Sequence, residues 1–109
     1  MIRPVLLCAG ALLAAVATAN AQAQLCVNGH PAPRRPDVTY GGLPPKPGYE
    51  RDHIIPLCLG GPDARINIQY QPQSEARLKD VRERHVCEAV CRGDISLDHA
   101  MALFHREWP

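Results

Sequence analysis

The sequence predicts a small α+β domain, a β-hairpin followed by a long helix, with an extended Pro-rich arm before it and a short helix after it. Three observations predict this. Two apolar stretches flank the dense turn signal Gly60-Gly61-Pro62-Asp63. Residues 75–91 then carry a helical pattern closed by Gly93. Cysteines are frequent for so short a chain, as in small folds that need covalent braces.

The N-terminal segment is set apart first. Arg3 supplies a short positive region, Val5 to Ala17 are apolar, and Ala19-Asn20-Ala21 and Ala21-Gln22-Ala23 offer small-x-small cleavage sites. This pattern is that of a secretory signal peptide over residues 1–23, too short and wrongly flanked for a membrane anchor. The expected product is exported, periplasmic or secreted, with no membrane span in its mature form. Without Arg3 it carries eleven basic and eleven acidic residues. That balance argues against a protein that coats nucleic acid through bulk charge, while leaving room for a local basic rim.

Residues 24–48 form the arm. Pro31, Pro33, Pro36, Pro44, Pro45 and Pro47 forbid a long helix there. The domain proper spans residues 49–109. A first strand is expected from about Tyr49 to Leu59, with Pro56 marking a side that lacks a full ladder. A second is expected over residues 66–70, where Ile66, Ile68 and Tyr70 alternate with Asn67 and Gln69 to give one apolar face.

Ser74 is a natural N-cap for a helix beginning at Glu75 and running to about Cys91. Ala76, Asp80, Glu83 and Cys87 share one face of it, while Leu78, Val81, His85 and Ala89 occupy another. Ser96 caps a last helix whose Leu97, Ala100, Met101, Phe104 and Trp108 form an apolar stripe for the core.

Cys8 leaves with the leader, so Cys26, Cys58, Cys87 and Cys91 remain. An even number in a small exported chain reads as two disulfides. Cys87 and Cys91 lie four apart on the helix, where a mutual bridge is awkward. Each is expected to reach outward, one to Cys26 and one to Cys58. A four-cysteine zinc site usually wants a tight two-residue knuckle, and the sequence has none.

Chemistry concentrates at Asp52-His53, at the mouth of the apolar run Ile54-Ile55-Pro56-Leu57. A carboxylate can hold a hard divalent cation through oxygen, and an imidazole exchanges a proton near neutral pH. The plainer alternative is a polar strand edge. His30, His85, His99 and His105 have no partners at metal-ligand spacing and read as surface or packing residues. Arg51, Arg65, Arg77, Arg82 and Arg84 suit contacts to a phosphate backbone, or ordinary solvated charge.

Strand, turn, strand, helix is the order of a ββα-metal finger. The residues in that frame resemble the HNH endonuclease family: Asp52-His53-Ile54-Ile55-Pro56, then Gly60-Gly61, then Asn67, then a helix carrying Lys79. More narrowly, Ala76-x-x-Lys79-Asp80-x-x-Glu83 and Cys91-Arg92-Gly93 before a last helix closing on Trp108 are similar to small exported HNH-type proteins.

The resemblance implies an exported nuclease that hydrolyses phosphodiester bonds, DNA before RNA. His53 would be the general base, Asn67 would orient the imidazole and brace the loop, and Asp52 would bind a divalent metal. That metal would be Mg²⁺, with Mn²⁺ or another transition metal as alternatives. Arg51 and Lys79 would meet the nucleic acid. Many family members place a second metal ligand three residues before the lysine; here that residue is Ala76, which coordinates nothing. Asp80, Glu83 and Glu75 are the candidate replacements. The missing ligand favours an alternative, a non-catalytic exported module that keeps a degenerate HNH frame and is stabilised by its disulfides.

Overall fold

The computed structural model describes residues 25–109; the leader expected over residues 1–23 lies outside the described residues. It shows an α+β domain with two small antiparallel sheets. The arm is not purely extended. It opens with a miniature hairpin, β1 (Cys26–Val27) and β2 (His30–Pro31), closed by the two-residue turn Asn28-Gly29. The larger hairpin pairs β3 (Tyr49–His53) with β4 (Ile68–Pro72), and its register sets Asp52 opposite Gln69 and His53 opposite Ile68.

Both strands differ from expectation. The first stops at His53 instead of continuing to Leu59. Pro56 has no N–H for a ladder, and the chain turns into a 3-10 segment at Leu57–Leu59. The second begins at Ile68, because residues 65–67 form another 3-10 turn that leaves Ile66 82 % exposed. β4 is therefore not apolar on one face and polar on the other. Ile68, Gln69 and Gln71 are all buried.

Gly60 and Gly61 close the intervening loop for different reasons. Gly60 adopts φ 84°, a left-handed conformation that costs other residues energy. Gly61 packs so tightly against the segment that follows β3 that a Cβ there would overlap the Ile55 carbonyl oxygen.

The long helix, α1 (Gln73–Arg92), starts directly after Pro72, two residues earlier than a cap at Ser74 would set it. Pro72 ends the ladder and no side chain caps the helix N-terminus. Ala76, Lys79 and Cys87 are its buried residues. The last helix, α2 (Leu97–Ala102), is capped as expected, Ser96 Oγ accepting the His99 N–H at 3.1 Å. It ends six residues before Trp108, so the stripe is only partly helical. Phe104 is nonetheless buried with Leu59, Cys87 and Ala100 in the core.

Two disulfides complete the core. Cys26 joins Cys91, and Cys58 joins Cys87, with Cα–Cα distances of 5.6 and 6.0 Å. Each helix cysteine does reach outward to a different partner, as expected. Sulfur bound in these bridges is not available as a zinc ligand.

Candidate functional site

The end of β3 delivers two side chains to different partners, as the alternation of a strand requires. Asp52 turns toward α1. His53 turns toward the loop and the arm. Both are buried.

The imidazole is held by a residue that sequence reasoning had treated as part of a turn. His53 Nε2 lies 2.8 Å from Asp63 Oδ1. Asp63 is itself fixed by the arm, accepting the Thr39 N–H at 2.7 Å, the Thr39 hydroxyl at 3.0 Å and the Tyr40 N–H at 2.9 Å. These bonds, led by the Thr39 amide and then the imidazole, hold the Asp63 carboxyl well below the usual carboxylate range. An ionised carboxylate only accepts hydrogen bonds, so Nε2 carries the hydrogen. In the neutral ring Nδ1 is then the basic nitrogen, and it makes no hydrogen bond among the described residues.

Tyr40 packs against the same ring, centroids 5.1 Å apart, and the Arg51 guanidinium lies over the Tyr40 ring at 4.3 Å. Arg34 donates to the Tyr40 hydroxyl at 3.2 Å. Tyr40 has φ 55°, an uncommon conformation for a non-glycine residue, held by its N–H bond to Asp63. The arm is therefore part of the site.

Asn67 braces the loop. Its Oδ1 accepts the Ile55 N–H at 2.9 Å, and its Nδ2 donates to the carbonyls of Ile55 and Pro62 at 3.0 and 2.9 Å. It replaces the ladder bonds that β3 gives up after His53. Its described bonds do not reach the imidazole, whose orientation comes from Asp63.

On the other side of β3, Asp52 Oδ2 receives the Lys79 ammonium at 2.8 Å and the Gln69 amide at 3.0 Å. Gln69, 1 % exposed, is turned by the C-terminal tail: its Oε1 accepts the backbone N–H groups of Glu107 and Trp108 at 3.1 and 3.3 Å. That leaves its amide nitrogen to face Asp52. Lys79 also donates to the His53 carbonyl at 2.8 Å and to Glu83 at 2.5 Å. Burial pushes the Glu83 carboxyl up, with Asp52 and Asp80 adding to the rise and Lys79 opposing it.

Of the expected metal ligands, Asp52 and Glu83 are brought together, Asp80 is exposed, and Glu75 is exposed in the first turn of α1. The point the two share is filled by Lys79 Nζ. Among the described residues no three His, Cys, Asp or Glu side chains converge as a metal-binding group. As placed, these donors fit an ammonium and not a hydrated divalent ion, which seeks six or more oxygens. Lys79 is neither a surface residue nor free to meet a phosphate, being only 3 % exposed.

His53, Asp63, Asp80, Arg34, Arg51 and Arg84 line a cleft of about 1150 Å³ between the arm, the loop and α1. Compared with family models, with curated proteins and with solved structures, the chain matches none. No helix among the described residues is long and apolar enough to cross a membrane.

Proposed function

We propose that this chain is an exported nuclease, built on the ββα frame of the HNH endonucleases and hydrolysing phosphodiester bonds with His53 as general base. The observation that carries the reading is the hydrogen bond from His53 Nε2 to the arm-anchored Asp63 carboxylate. It leaves Nδ1 as a base on a ring that lines an open cleft.

In this reading Nδ1 takes a proton from a water molecule. The water oxygen attacks phosphorus, the bond from phosphorus to one ester oxygen breaks, and that oxygen takes its proton from solvent. Asp63 stabilises the imidazolium formed on the way. Arg34, Arg35, Arg51 and Arg84 supply positive charge along the cleft, suited to a phosphate backbone and not to reading bases. DNA comes before RNA as substrate. Mg²⁺ or Mn²⁺ would have Asp52 and Glu83 as ligands only if Lys79 withdrew. Export accords with the leader pattern and with two disulfides, which persist in oxidising compartments.

The second reading is a non-catalytic exported module. Ala76, 1 % exposed at the position where the family's second ligand stands, favours it. Incubation of the oxidised protein with supercoiled plasmid and with an RNA oligonucleotide, beside His53→Ala, separates the two. Cleavage that the substitution abolishes supports the nuclease; intact substrates under every condition support the module.

A further inference from the structure

We infer that the ammonium of Lys79 is the resident cation of this site and that no divalent ion binds between Asp52 and Glu83 in the native chain. This deepens the nuclease reading, on which its catalytic consequence rests; the identity of the cation stands on geometry alone.

An ammonium has three hydrogens to donate. Lys79 has three oxygen partners: Asp52 Oδ2 at 2.8 Å, the His53 carbonyl at 2.8 Å and Glu83 Oε1 at 2.5 Å. Its side chain is almost wholly withdrawn from water. On the apolar side the Phe104 ring centroid lies 5.4 Å from Nζ. Asp52 is held from a second direction by Gln69, whose amide cannot turn away without abandoning two tail N–H groups.

An ion bridging Asp52 Oδ2 and Glu83 Oε1 would have to lie where Nζ lies. Two cations within a few ångströms of each other, one of them on a side chain this little exposed, repel strongly. Ala76, which precedes the lysine on the same helix, offers no donor for an ion displaced along α1. The lysine thus neutralises the carboxylates that an ion would otherwise hold, and it links the helix to the β3 carbonyl next to the imidazole. Cleavage by this site then proceeds with a fixed positive charge under the base and no exchangeable metal.

Mn²⁺ binding decides the matter independently of cleavage. The oxidised full chain is titrated with Mn²⁺ and the free ion followed by its electron paramagnetic resonance signal. Wild type is expected to show no saturable uptake into the millimolar range. Lys79→Met, which bares both carboxylates, is expected to take up one ion, and Lys79→Met with Asp52→Asn to lose it. One saturable ion in wild type that Asp52→Asn removes overturns the inference, and this result needs no folded lysine variant. If cleavage occurs, its rate should be unchanged by chelator; a rate abolished by chelator and restored by Mg²⁺ overturns the inference and leaves the nuclease reading standing. Intact substrates throughout count against the nuclease reading, and the Mn²⁺ titration still decides which cation the site holds.

Discussion

His53 Nε2 and Asp63 Oδ1 stand 2.8 Å apart across a ten-residue step in sequence, and the arm closes over the carboxylate with the Thr39 and Tyr40 amides. A strand end and a loop thereby become one acid–base unit. The unit sets the tautomer, because the ionised carboxylate leaves the ring's other nitrogen as the base.

Asp63→Asn tests this unit. Asparagine has one side-chain acceptor where the carboxylate has two, so it cannot serve both the arm amides and the imidazole. Cleavage should fall roughly 10²–10⁴-fold, the range of a general base misdirected, while near-ultraviolet circular dichroism still reports a packed protein. Undiminished cleavage in a folded variant would show that Asp63 does not orient the base.

Acid unfolding supplies the second test. The Asp63 carboxyl is depressed when folded, so its contribution to stability is fully present above its ordinary value of 3.8. The contribution is lost as pH falls below that value toward the lowered one, because the unfolded chain takes up the proton first. Urea midpoints measured from pH 6 downward should therefore drop more steeply in wild type than in Asp63→Asn once the pH passes below about 4. Parallel curves would contradict the assignment.

Asn67 is a structural brace, and its two simplest variants should differ in a definite order. Asn67→Ala strands the Ile55 amide and removes three hydrogen bonds, a loss of roughly 2–4 kcal/mol. Asn67→Asp keeps the acceptor for Ile55 but turns a carboxylate toward two carbonyl oxygens, and should destabilise at least as much. Urea unfolding at neutral pH checks both; an Asp variant as stable as wild type would mean the loop closes differently.

The two disulfides should not be equivalent. They close sequence separations of 65 and 29. Chain entropy alone gives each about 4 kcal/mol and favours the longer by less than about 1 kcal/mol. Cys87, however, lies in the core against Leu59, Ala100 and Phe104. Replacing Cys58 and Cys87 together by alanine should therefore lower the melting temperature more than replacing Cys26 and Cys91. The opposite order would show that the arm, not the core, limits stability.

Much of the frame was legible because local chemistry wrote it. The turn residues after Leu59, the cap at Ser96 and the helical spacing of Cys87 and Cys91 each act over a few residues. What could not be read was long-range satisfaction of polar groups. Gln69 looked like the solvated side of a strand, yet it is buried because two tail amides and Asp52 complete its hydrogen bonds. Ile66 looked like core and is exposed because a 3-10 turn rotates it outward. Asp63 looked like turn punctuation. An acidic residue in a glycine loop shortly after an Asp-His pair was the one available hint. Lys79 read as a residue that would meet nucleic acid, and only the return of β3 beneath α1 makes it a buried cation.

Chemical rescue tests the central claim most directly, that the His53 imidazole is the base for phosphodiester cleavage. His53→Ala is incubated with supercoiled plasmid and rising concentrations of free imidazole, beside wild type. The account predicts no nicking without imidazole and nicking that grows with its concentration. Nicking by His53→Ala at the wild-type rate without added imidazole would contradict it.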